Sequence, residues 1–406
     1  MTTVAVVAEF NPPHNGHAYL ARCIRDRFGD DTRILAIMSG NFVQRGDVAI
    51  VDKYTRAELA ISMGYNAVVE LPFPFSAASA RDFADAAVAI ADKLGSIDYL
   101  CFGSESGELA PLVKIAEYMA SDVFQFRMEE LRETREHSNK SYIQLATITI
   151  EETLGEEYAA IVSLPNNILG ISYIRALLKR HSAIQPITIK RLGSYHSDSL
   201  DGEIASASAI RKRIFEDRLD DIRSYVNNTT FQKLCEMRSK GLLPANISNI
   251  YHSIVLDLLK NESNGVIRIP AECDEALLHR IYTAAHEAKD FTTLMEFCKA
   301  KHYTDAHIRR ALLFTYIFTT RDYILEGPKY TALLAADRTG RWLLKAIKKT
   351  RKIPVLTKVA DYSTIFKGEE RMQAQFTTWS DIIYLQSLPN PQPAANALRI
   401  SPYIHD

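Results

Sequence analysis

The start of the chain constrains its fold most strongly, because a nearly continuous apolar run passes there directly into a turn of proline, histidine and glycine. The run covers residues 4–10, and its β-branched residues are typical of a strand that is buried on both faces. Helical spacing of apolar residues begins at His17 and continues to Phe28. A buried strand followed at once by a helix predicts a parallel sheet covered by helices.

Strands and helices alternate through the first half of the chain. Further strands are predicted at 34–38, 67–71, 99–102 and 184–191, and helices at 52–63, at 78–94 and through most of 108–180. The order β-α-β-α-β-α-β implies right-handed crossovers, so the predicted fold class is α/β, a doubly wound, Rossmann-like parallel sheet. Ligands of such sheets bind at the carboxyl ends of the strands.

After about residue 206 the strand pattern almost disappears. Periodicity predicts helices at 207–216, 220–226, 230–240, 248–259, 272–289, 292–300, 307–318 and 338–349. The proline-containing stretch 388–398 is predicted to be a loop or a frayed tail. We therefore predict an α/β domain over residues 1–217 and a mostly α-helical domain over residues 218–406.

The net charge of −1 hides an asymmetry along the chain. Residues 1–200 carry 19 Lys and Arg against 25 Asp and Glu, whereas residues 201–406 carry 29 against 24. Within the second half, residues 301–358 carry 13 basic and 4 acidic side chains. This distribution predicts that a polyanionic partner, if there is one, meets the second half.

Cysteine usage and the N-terminal sequence indicate a cytoplasmic protein. The five cysteines are scattered without a CxxC pair, which disfavours a zinc site and a disulfide framework and suits a reducing compartment. The N-terminus has no basic segment before its apolar run, so a signal peptide is not expected. No stretch approaches 18 apolar residues, and no membrane association is expected.

The turn after the first strand reads Phe-Asn-Pro-Pro-His-Asn-Gly-His over residues 10–17. A helix start offers unpaired N–H groups to an anion, and Gly16 lets the backbone approach it closely. His14 and His17 flank this glycine and can point at one phosphate group, while Asn11 can orient the loop. Nucleotidyl transfer needs such positioning and charge neutralisation. The alternative, two histidines falling in a turn by chance, is disfavoured by the place of the motif between strand and helix.

A second segment, Ser-Ala-Ser-Ala-Ile-Arg over residues 206–211, opens a helix after the last predicted strand. Ser206, Ser208 and the N–H groups of this helix start can hold the outer phosphates of a nucleotide, and Arg211 can neutralise them. The alternative is a serine N-cap followed by a surface arginine. Together the two segments resemble the HxGH nucleotidyltransferase superfamily, in which the second has the pattern ISSTxIR; Ala207 departs from it.

Segments outside these motifs carry a narrower resemblance, to the bacterial tRNA(Met) cytidine acetate ligase family. They are SGNFVQRGDVAIVDKYTRAE (39–58), FGSE (102–105), LPNNILGISYIRAL (164–177), TIKRLGSYH (188–196) and TGRWLLKAIKKTRKIPVLTK (339–358). The resemblance implies an enzyme that uses ATP to convert acetate to acetyl-adenylate. It then acetylates N4 of the wobble cytidine (C34) of elongator tRNA(Met). We expect Mg²⁺ to share the neutralisation of charge with His14, His17 and Arg211, and the sequence indicates no obligate protein partner.

The same resemblance assigns site residues, with His14, His17 and Arg211 as the catalytic ones and residues 1–217 as the ATP domain. The implied ATP contacts are Val7, Ala8, Glu9, Phe10, Asn11, Pro12, Pro13, His14, Asn15, Gly16, His17, Ala18, Tyr19, Leu20, Gly103, Asn166, Arg191, Ser206 and Ser208. Asn166 is preferred to Asn167, although either would serve as a helix N-cap in any protein. Pro13 stands where the family has phenylalanine. The residues imply no metal ligand.

Residues 218–406 are predicted to bind the tRNA. The basic candidates are Arg309, Arg310, Lys348, Lys349, Arg351 and Lys352. Tyr303 and Trp342 lie nearby and can either stack on unpaired bases or belong to the core. The alternative for these basic residues is a solvated helix face. Arg45 and Lys53 can either reach phosphate or RNA or lie on the solvated surface, and His196 is equally ambiguous.

Two other functions stay open from the sequence. A small-molecule adenylyltransferase of the same superfamily, making a dinucleotide cofactor, would have the same α/β core, but it would not need a basic helical extension of some 200 residues. A non-catalytic RNA-binding protein with a vestigial nucleotide fold would not need to retain both His14 and His17 together with Arg211.

Overall fold

A computed structural model describes residues 1–134, 140–192, 200, 204–301 and 303–405. Its strands are β1 (Thr3–Ala8), β2 (Arg33–Ser39), β3 (Phe42–Val43), β4 (Asp47–Val48), β5 (Ala67–Leu71), β6 (Tyr99–Ser104), β7 (Gln185–Lys190), β8 (Thr331–Ala336), β9 (Val355–Leu356) and β10 (Tyr403–Ile404). His196 lies outside the described residues.

Helices connect and cover these strands. They are α1 (Asn15–Phe28), α2 (Lys53–Ser62), α3 (Ala80–Leu94), α4 (Leu109–Ala120), α5 (Asp122–Glu133), α6 (Tyr142–Leu154), α7 (Glu156–Val162), α8 (Pro165–Lys179), α9 (Ala207–Phe215), α10 (Asn228–Ser239), α11 (Tyr251–Ser263), α12 (Glu275–Glu287), α13 (Phe291–Cys298), α14 (Asp305–Tyr316), α15 (Arg321–Glu326), α16 (Arg338–Thr350), α17 (Tyr362–Ile365), α18 (Gly368–Gln386) and α19 (Asn396–Arg399). Short 3₁₀ turns occupy Phe75–Ala77, Leu219–Ile222, Ile247–Ile250 and Val359–Asp361.

The main sheet has the strand order β10-β8-β5-β2-β1-β6-β7, with β9 beside β8. Strands β1, β2, β5, β6 and β7 are parallel, which confirms the predicted doubly wound α/β fold. Because they are parallel, the turns after β1, β2, β5 and β6 meet at one edge of the sheet. The strands β3 and β4 form a small antiparallel hairpin beyond the carboxyl end of β2.

Alternate residues of β2 show how helices cover both faces of the sheet. Ile34, Ala36 and Met38 are fully buried in a cluster that contains residues of α1 and α2. Leu35 and Ile37 are equally buried but belong to the cluster that contains α3, α8 and α16. Successive side chains of a strand point to opposite faces, so a strand covered on both sides has a continuously apolar sequence.

The part of the chain after residue 206 is mostly α-helical, as predicted, but it also contains β8, β9 and β10, which the sequence analysis missed. The segment Thr331–Ala336 forms β8, which pairs antiparallel with β5, and β10 pairs with β8. Its sequence, TALLAA, is a short apolar run without alternation, and such a run does not distinguish a buried strand from a buried helix. The C-terminal part therefore returns to the sheet of the first half, and the boundary at 217/218 stays a prediction.

Within the described residues, no helix is by itself long and apolar enough to cross a membrane. Two consecutive helices, Glu156–Val162 and Pro165–Lys179, are long and apolar enough only when counted together, and the pair is bent by 95°.

Candidate active site

The turn between β1 and α1 brings the two motif histidines together. Their ring centroids lie 4.0 Å apart. His14 is the N-cap of α1, and its Nδ1 accepts from the N–H of Gly16 at 3.0 Å. The N–H of His14 in turn donates to Nδ1 of His17 at 3.1 Å. The two imidazoles thus form a capping box, in which each satisfies an N–H that the helix start would leave unpaired.

This arrangement assigns the protonation of both rings. A neutral imidazole carries its proton on one nitrogen, and both Nδ1 atoms accept hydrogen bonds, so the proton belongs on Nε2 of each ring. Burial lowers the pKa of His14 well below its usual value, helped by the nearby charges of Arg191 and Arg211. Burial, with Arg191, lowers the pKa of His17 to about 3. Both histidines are therefore neutral Nε2–H donors.

Gly16 is needed for the close approach of His14. A Cβ atom at residue 16 would lie 2.7 Å from Cε1 of His14, closer than carbon atoms pack. Asn11 ties its turn to a distant segment and not by the local hydrogen bonds expected, because its Oδ1 accepts from the N–H of Ile50 at 2.9 Å. Asn15 serves the fold instead, since its side chain donates to the carbonyl of Ser224.

The second motif lies against the first. Ser206 is the N-cap of α9 and accepts from the N–H of Ala209 at 3.0 Å. Arg211 donates from Nη1 to the carbonyl of Asn11 at 2.8 Å and from Nη2 to Oγ of Ser208 at 3.1 Å. Both sequence interpretations of Ser206 thus apply, because it caps a helix whose start faces the nucleotide turn.

The carboxyl end of β6 supplies the opposite wall. Gly103 lies against Arg191, and a Cβ atom at residue 103 would be 3.0 Å from Cγ of that arginine. Glu105 caps α8 by accepting from the N–H groups of Asn166 and Asn167 at 3.2 and 3.0 Å. Asn167 is fully buried and bonds to the N–H of Glu105. Of these two asparagines Asn166 lines the cavity and Asn167 does not, and the choice of Asn166 as the nucleotide contact stays a prediction.

Two adjoining cavities, of about 100 and 250 Å³, occupy this edge of the sheet. His14, His17, Leu20, Gly103, Arg191 and Ser206 line both cavities. The other predicted ATP contacts that line one of them are Val7, Ala8, Glu9, Phe10, Asn11, Gly16, Tyr19, Asn166 and Ser208, as does Arg211. The predicted contacts Pro12, Pro13, Asn15 and Ala18 do not line either cavity.

Some lining residues were not singled out from the sequence. Phe83, Phe102, Leu169 and Tyr173 form an apolar wall from α3, β6 and α8. They are ordinary core-type residues in their own segments, so no local signal marks them. Gln44, from the hairpin after β2, lines the same cavity.

The loop between β2 and α2 is held by a buried arginine that the sequence analysis missed. Arg56 is fully buried and donates to the carbonyls of Glu9, Ser39, Gly40 and Val51. These carbonyls belong to the ends of β1 and β2 and to the loop beyond them. One guanidinium therefore holds together the main-chain segments that border the site.

Lys53 has neither of the roles considered from the sequence. It is 1% exposed, and its Nζ lies 2.8 Å from Glu70 and 2.7 Å from Asp381 of α18. Burial opposes its charge, but the carboxylates of Asp381 and Glu70 raise the pKa of Lys53 well above its usual value. Burial also raises the pKa of Glu70 to about 7. This ion triad joins α18 to β5 and to the first residue of α2.

The predicted RNA contacts divide into two groups. Arg309 lies beside the site, because it pairs at 3.1 Å with Asp47 of the β3–β4 hairpin, whose residues Gln44 and Arg45 line a cavity. Arg310 is largely buried and pairs with Glu272 at 3.0 Å, which favours a structural role. The remaining candidates Lys348, Lys349, Arg351 and Lys352 surround the C-terminal end of α16.

This end of α16 is not beside the site. Thr350 hydrogen-bonds to the carbonyl of Leu94 and to Ser96, in the turn that leads into the amino end of β6. Gly103 lies at the carboxyl end, a strand length or roughly 20 Å away. Of the two aromatic candidates, Tyr303 is buried and donates to Asp274, whereas Trp342 is 57% exposed with Lys345 over its ring.

Comparison with known proteins identifies the class that this fold and site define. A model of the HIGH Nucleotidyl Transferase family matches residues 1–397, so the chain belongs to that family. Individual relatives within this family give a more specific match. The chain is 35% identical over 370 residues to the tRNA(Met) cytidine acetate ligase of Thermoanaerobacter sp. (strain X514), covering 89% of this chain and 90% of that one. It is 32% identical to the enzyme of the same name from Acetivibrio thermocellus, covering 96% of both.

Solved structures agree with these relatives. The crystal structure of Thermotoga maritima TmcAL bound with alpha-thio ATP superimposes with a TM-score of 0.90 at 28% identity, covering 100% of both chains. The apo form of the same protein superimposes with a TM-score of 0.91, again at 28% identity over 100% of both chains. The predicted membership of the tRNA(Met) cytidine acetate ligase family is thereby confirmed.

Proposed function

We propose that this chain is an ATP-dependent ligase that converts acetate to acetyl-adenylate and acetylates N4 of the wobble cytidine of elongator tRNA(Met) in the cytoplasm. The observation that carries the proposal is the pair of neutral Nε2–H donors, His14 and His17, beside Arg191 and Arg211 in the site cavities. Family membership supports the choice of acetate and tRNA(Met) as substrates.

The first step needs charge stabilisation more than proton transfer. Acetate is already ionised at neutral pH, so its attack on the α-phosphate requires no base. The developing charge on the pyrophosphate leaving group requires donors in fixed positions, and the capping box holds both imidazoles in place before substrate arrives. Arg191 and Arg211 offset the repulsion between acetate and the phosphates.

Mg²⁺ is proposed to enter with ATP. Among the described residues, no group of three or more His, Cys, Asp or Glu side chains is arranged to hold a metal ion. This fits an ion that keeps most of its waters and is bound chiefly by substrate phosphates. When bound, the ion neutralises phosphate charge.

The anticodon end of the tRNA is proposed to meet the carboxyl edge of the sheet, where the site opens. Arg309 lies at this edge. Lys348 and Lys349 lie about 20 Å from the edge, which is the length of one strand. A tRNA arm that crosses the protein surface from one group to the other would contact both. The wobble base is unpaired, so it can enter the cavity without the disruption of a duplex.

Two assays test the function. The protein is incubated with ATP, Mg²⁺ and labelled pyrophosphate, with or without acetate, and then with labelled acetate and total tRNA. We expect acetate-dependent exchange of pyrophosphate into ATP and acid-stable label in tRNA. Absence of acetate-dependent exchange would contradict the proposal. Exchange that depends on a nicotinate or pantetheine phosphate would instead indicate a small-molecule adenylyltransferase.

A further inference from the structure

One acidic side chain stands among the cations of the site. Of the described residues that line the two cavities, only Glu9 carries a carboxylate, whereas Arg45, Lys190, Arg191 and Arg211 are basic. A carboxylate repels both ATP and acetate, so it weakens the binding of the substrates of the first step. Its presence is better explained by the second step, in which an amine must lose a proton.

The position of Glu9 leaves one oxygen available to substrate. It follows the last residue of β1, and its Oε1 accepts from the N–H of Gln44 at 3.0 Å. Its main-chain carbonyl accepts from the buried guanidinium of Arg56. No residue that the structure describes donates to Oε2 of Glu9. One oxygen therefore orients the carboxylate, and the other can accept a hydrogen bond from a ligand.

The histidines of the site are unsuited to take a proton. Nδ1 of each ring already accepts an N–H at the start of α1, and Nε2 of each carries the ring proton. To act as a base, either ring would have to give up its capping hydrogen bond. The arginines and the ammonium group of Lys190 are donors without an acceptor nitrogen. Among the described charged and imidazole side chains of the cavities, Glu9 is the remaining proton acceptor.

We propose that Glu9 is the general base of acetyl transfer, an inference that rests on the proposed function. Its Oε2 accepts a hydrogen bond from the exocyclic N4 amine of the cytidine, the pairing by which carboxylates read cytosine. The N4 lone pair forms a bond to the acetyl carbon of acetyl-adenylate. The bond from that carbon to the phosphate oxygen breaks, AMP leaves with the electron pair, and the N4 proton passes to Glu9.

The variant Glu9→Gln separates this role from a structural one. Glutamine is isosteric, and its carbonyl oxygen can still accept from the N–H of Gln44, but it takes no proton near neutral pH. Glu58→Gln is the matched control, because Glu58 pairs with Lys233 at 3.0 Å and lines neither site cavity. Two rates are measured for each variant: acetate-dependent pyrophosphate exchange, and single-turnover transfer of acetyl from synthetic acetyl-adenylate to tRNA.

We expect Glu9→Gln to slow transfer by about 10²–10⁴-fold, the usual contribution of a general base, and to slow exchange by a much smaller factor. Glu58→Gln should resemble the wild type in both rates.

Equal loss of exchange and transfer in Glu9→Gln would overturn the inference, because it would place Glu9 in Mg²⁺–ATP binding or in folding. Unchanged transfer would overturn it as well. Both outcomes leave the proposed function standing, provided that the wild type exchanges pyrophosphate with acetate. If the wild type does not do so, it is the proposed function that fails.

Discussion

The main-chain N–H of His14 donates to Nδ1 of His17 at 3.1 Å, so the second histidine of the motif holds the first in place before any nucleotide is bound. The ring of His14 does the same for Gly16. Each imidazole thus has two duties: Nδ1 caps the helix, and Nε2–H is the donor that we propose for the substrate phosphates. Substitutions that separate the two duties test the arrangement.

His14→Asn should keep the cap and lose the donor. The asparagine Oδ1 can replace Nδ1 as the acceptor for Gly16, and asparagine is a favourable N-cap, but nothing replaces Nε2–H. Acetate-dependent pyrophosphate exchange should fall about 10²–10³-fold, as it does when one oxyanion donor is lost. His14→Ala should lose exchange and, in addition, about 1 kcal/mol of unfolding free energy. Wild-type exchange in His14→Asn would contradict the donor role.

His17 should make the apoprotein sensitive to acid. Its pKa is about 3 when folded, mainly through burial, against an ordinary value of 6.5, so the unfolded state binds the proton first as the pH falls. As far as His17 is concerned, the free energy of unfolding is therefore highest above pH 6.5, and it declines on acidification towards pH 3. His17→Asn, which keeps an acceptor for the N–H of His14, should remove this contribution. The difference in unfolding free energy between the two proteins should shift in favour of the variant by about 1.4 kcal/mol per pH unit. A constant difference between pH 6 and pH 4 in urea titrations would contradict it.

Two helical glycines should behave differently when replaced by alanine. A Cβ at Gly170 would lie 2.5 Å from the ring of Phe102, which lines the site and must move. Gly170→Ala should therefore raise the KM for ATP or acetate and cost about 1–3 kcal/mol of stability. A Cβ at Gly340 would lie 1.9 Å from the carbonyl oxygen of Asn66, where main chain must move.

Gly340→Ala is thus the control, with the larger loss of unfolding free energy and unchanged KM values. Thermal unfolding and initial-rate kinetics measure both. Equal effects of the two substitutions on KM would contradict the assignment of Phe102 to the wall of the site cavity.

The basic end of α16 should contribute to tRNA affinity and not to adenylation. In the double variant Lys348→Ala, Lys349→Ala, the plot of log affinity against log salt concentration should become shallower by roughly 1.4–1.8, if each lysine meets one phosphate. Exchange in the absence of tRNA should stay at the wild-type rate. Replacing the exposed Lys260 and Lys289 by alanine removes the same charge from another part of the surface and should not change the slope. An unaltered slope in the first variant would move the RNA surface elsewhere.

The sequence predicts the site best where its residues are close together in the chain. His14, Gly16 and His17 form one turn. A turn that leads from a buried parallel strand into a helix lies at the carboxyl edge of the sheet. The association of Arg211 with Asn11 could be inferred only from the family pattern, because the two residues are 200 positions apart.

Residues whose roles arise from distant contacts escaped the sequence analysis. Lys53 has the sequence context of an exposed lysine at a helix start, yet two carboxylates from β5 and α18 surround it. Phe102 and Tyr173 look like ordinary core residues, and only the packing of β6 against α8 turns them towards a cavity. Short apolar segments such as β8 remain ambiguous until their neighbours are known.

The antiparallel pairing of β8 with β5 has a consequence for any attempt to divide the protein. A fragment that ended at residue 217 would lack β8, and the hydrogen-bonding groups along one side of β5 would be open to solvent or to another chain. The same cut would remove Asp381 and leave Lys53 with half of its partners. Such a fragment would present an apolar, unpaired sheet edge of the kind that drives aggregation. The part of the chain that carries the nucleotide turn therefore depends on the last quarter of the chain for its solubility.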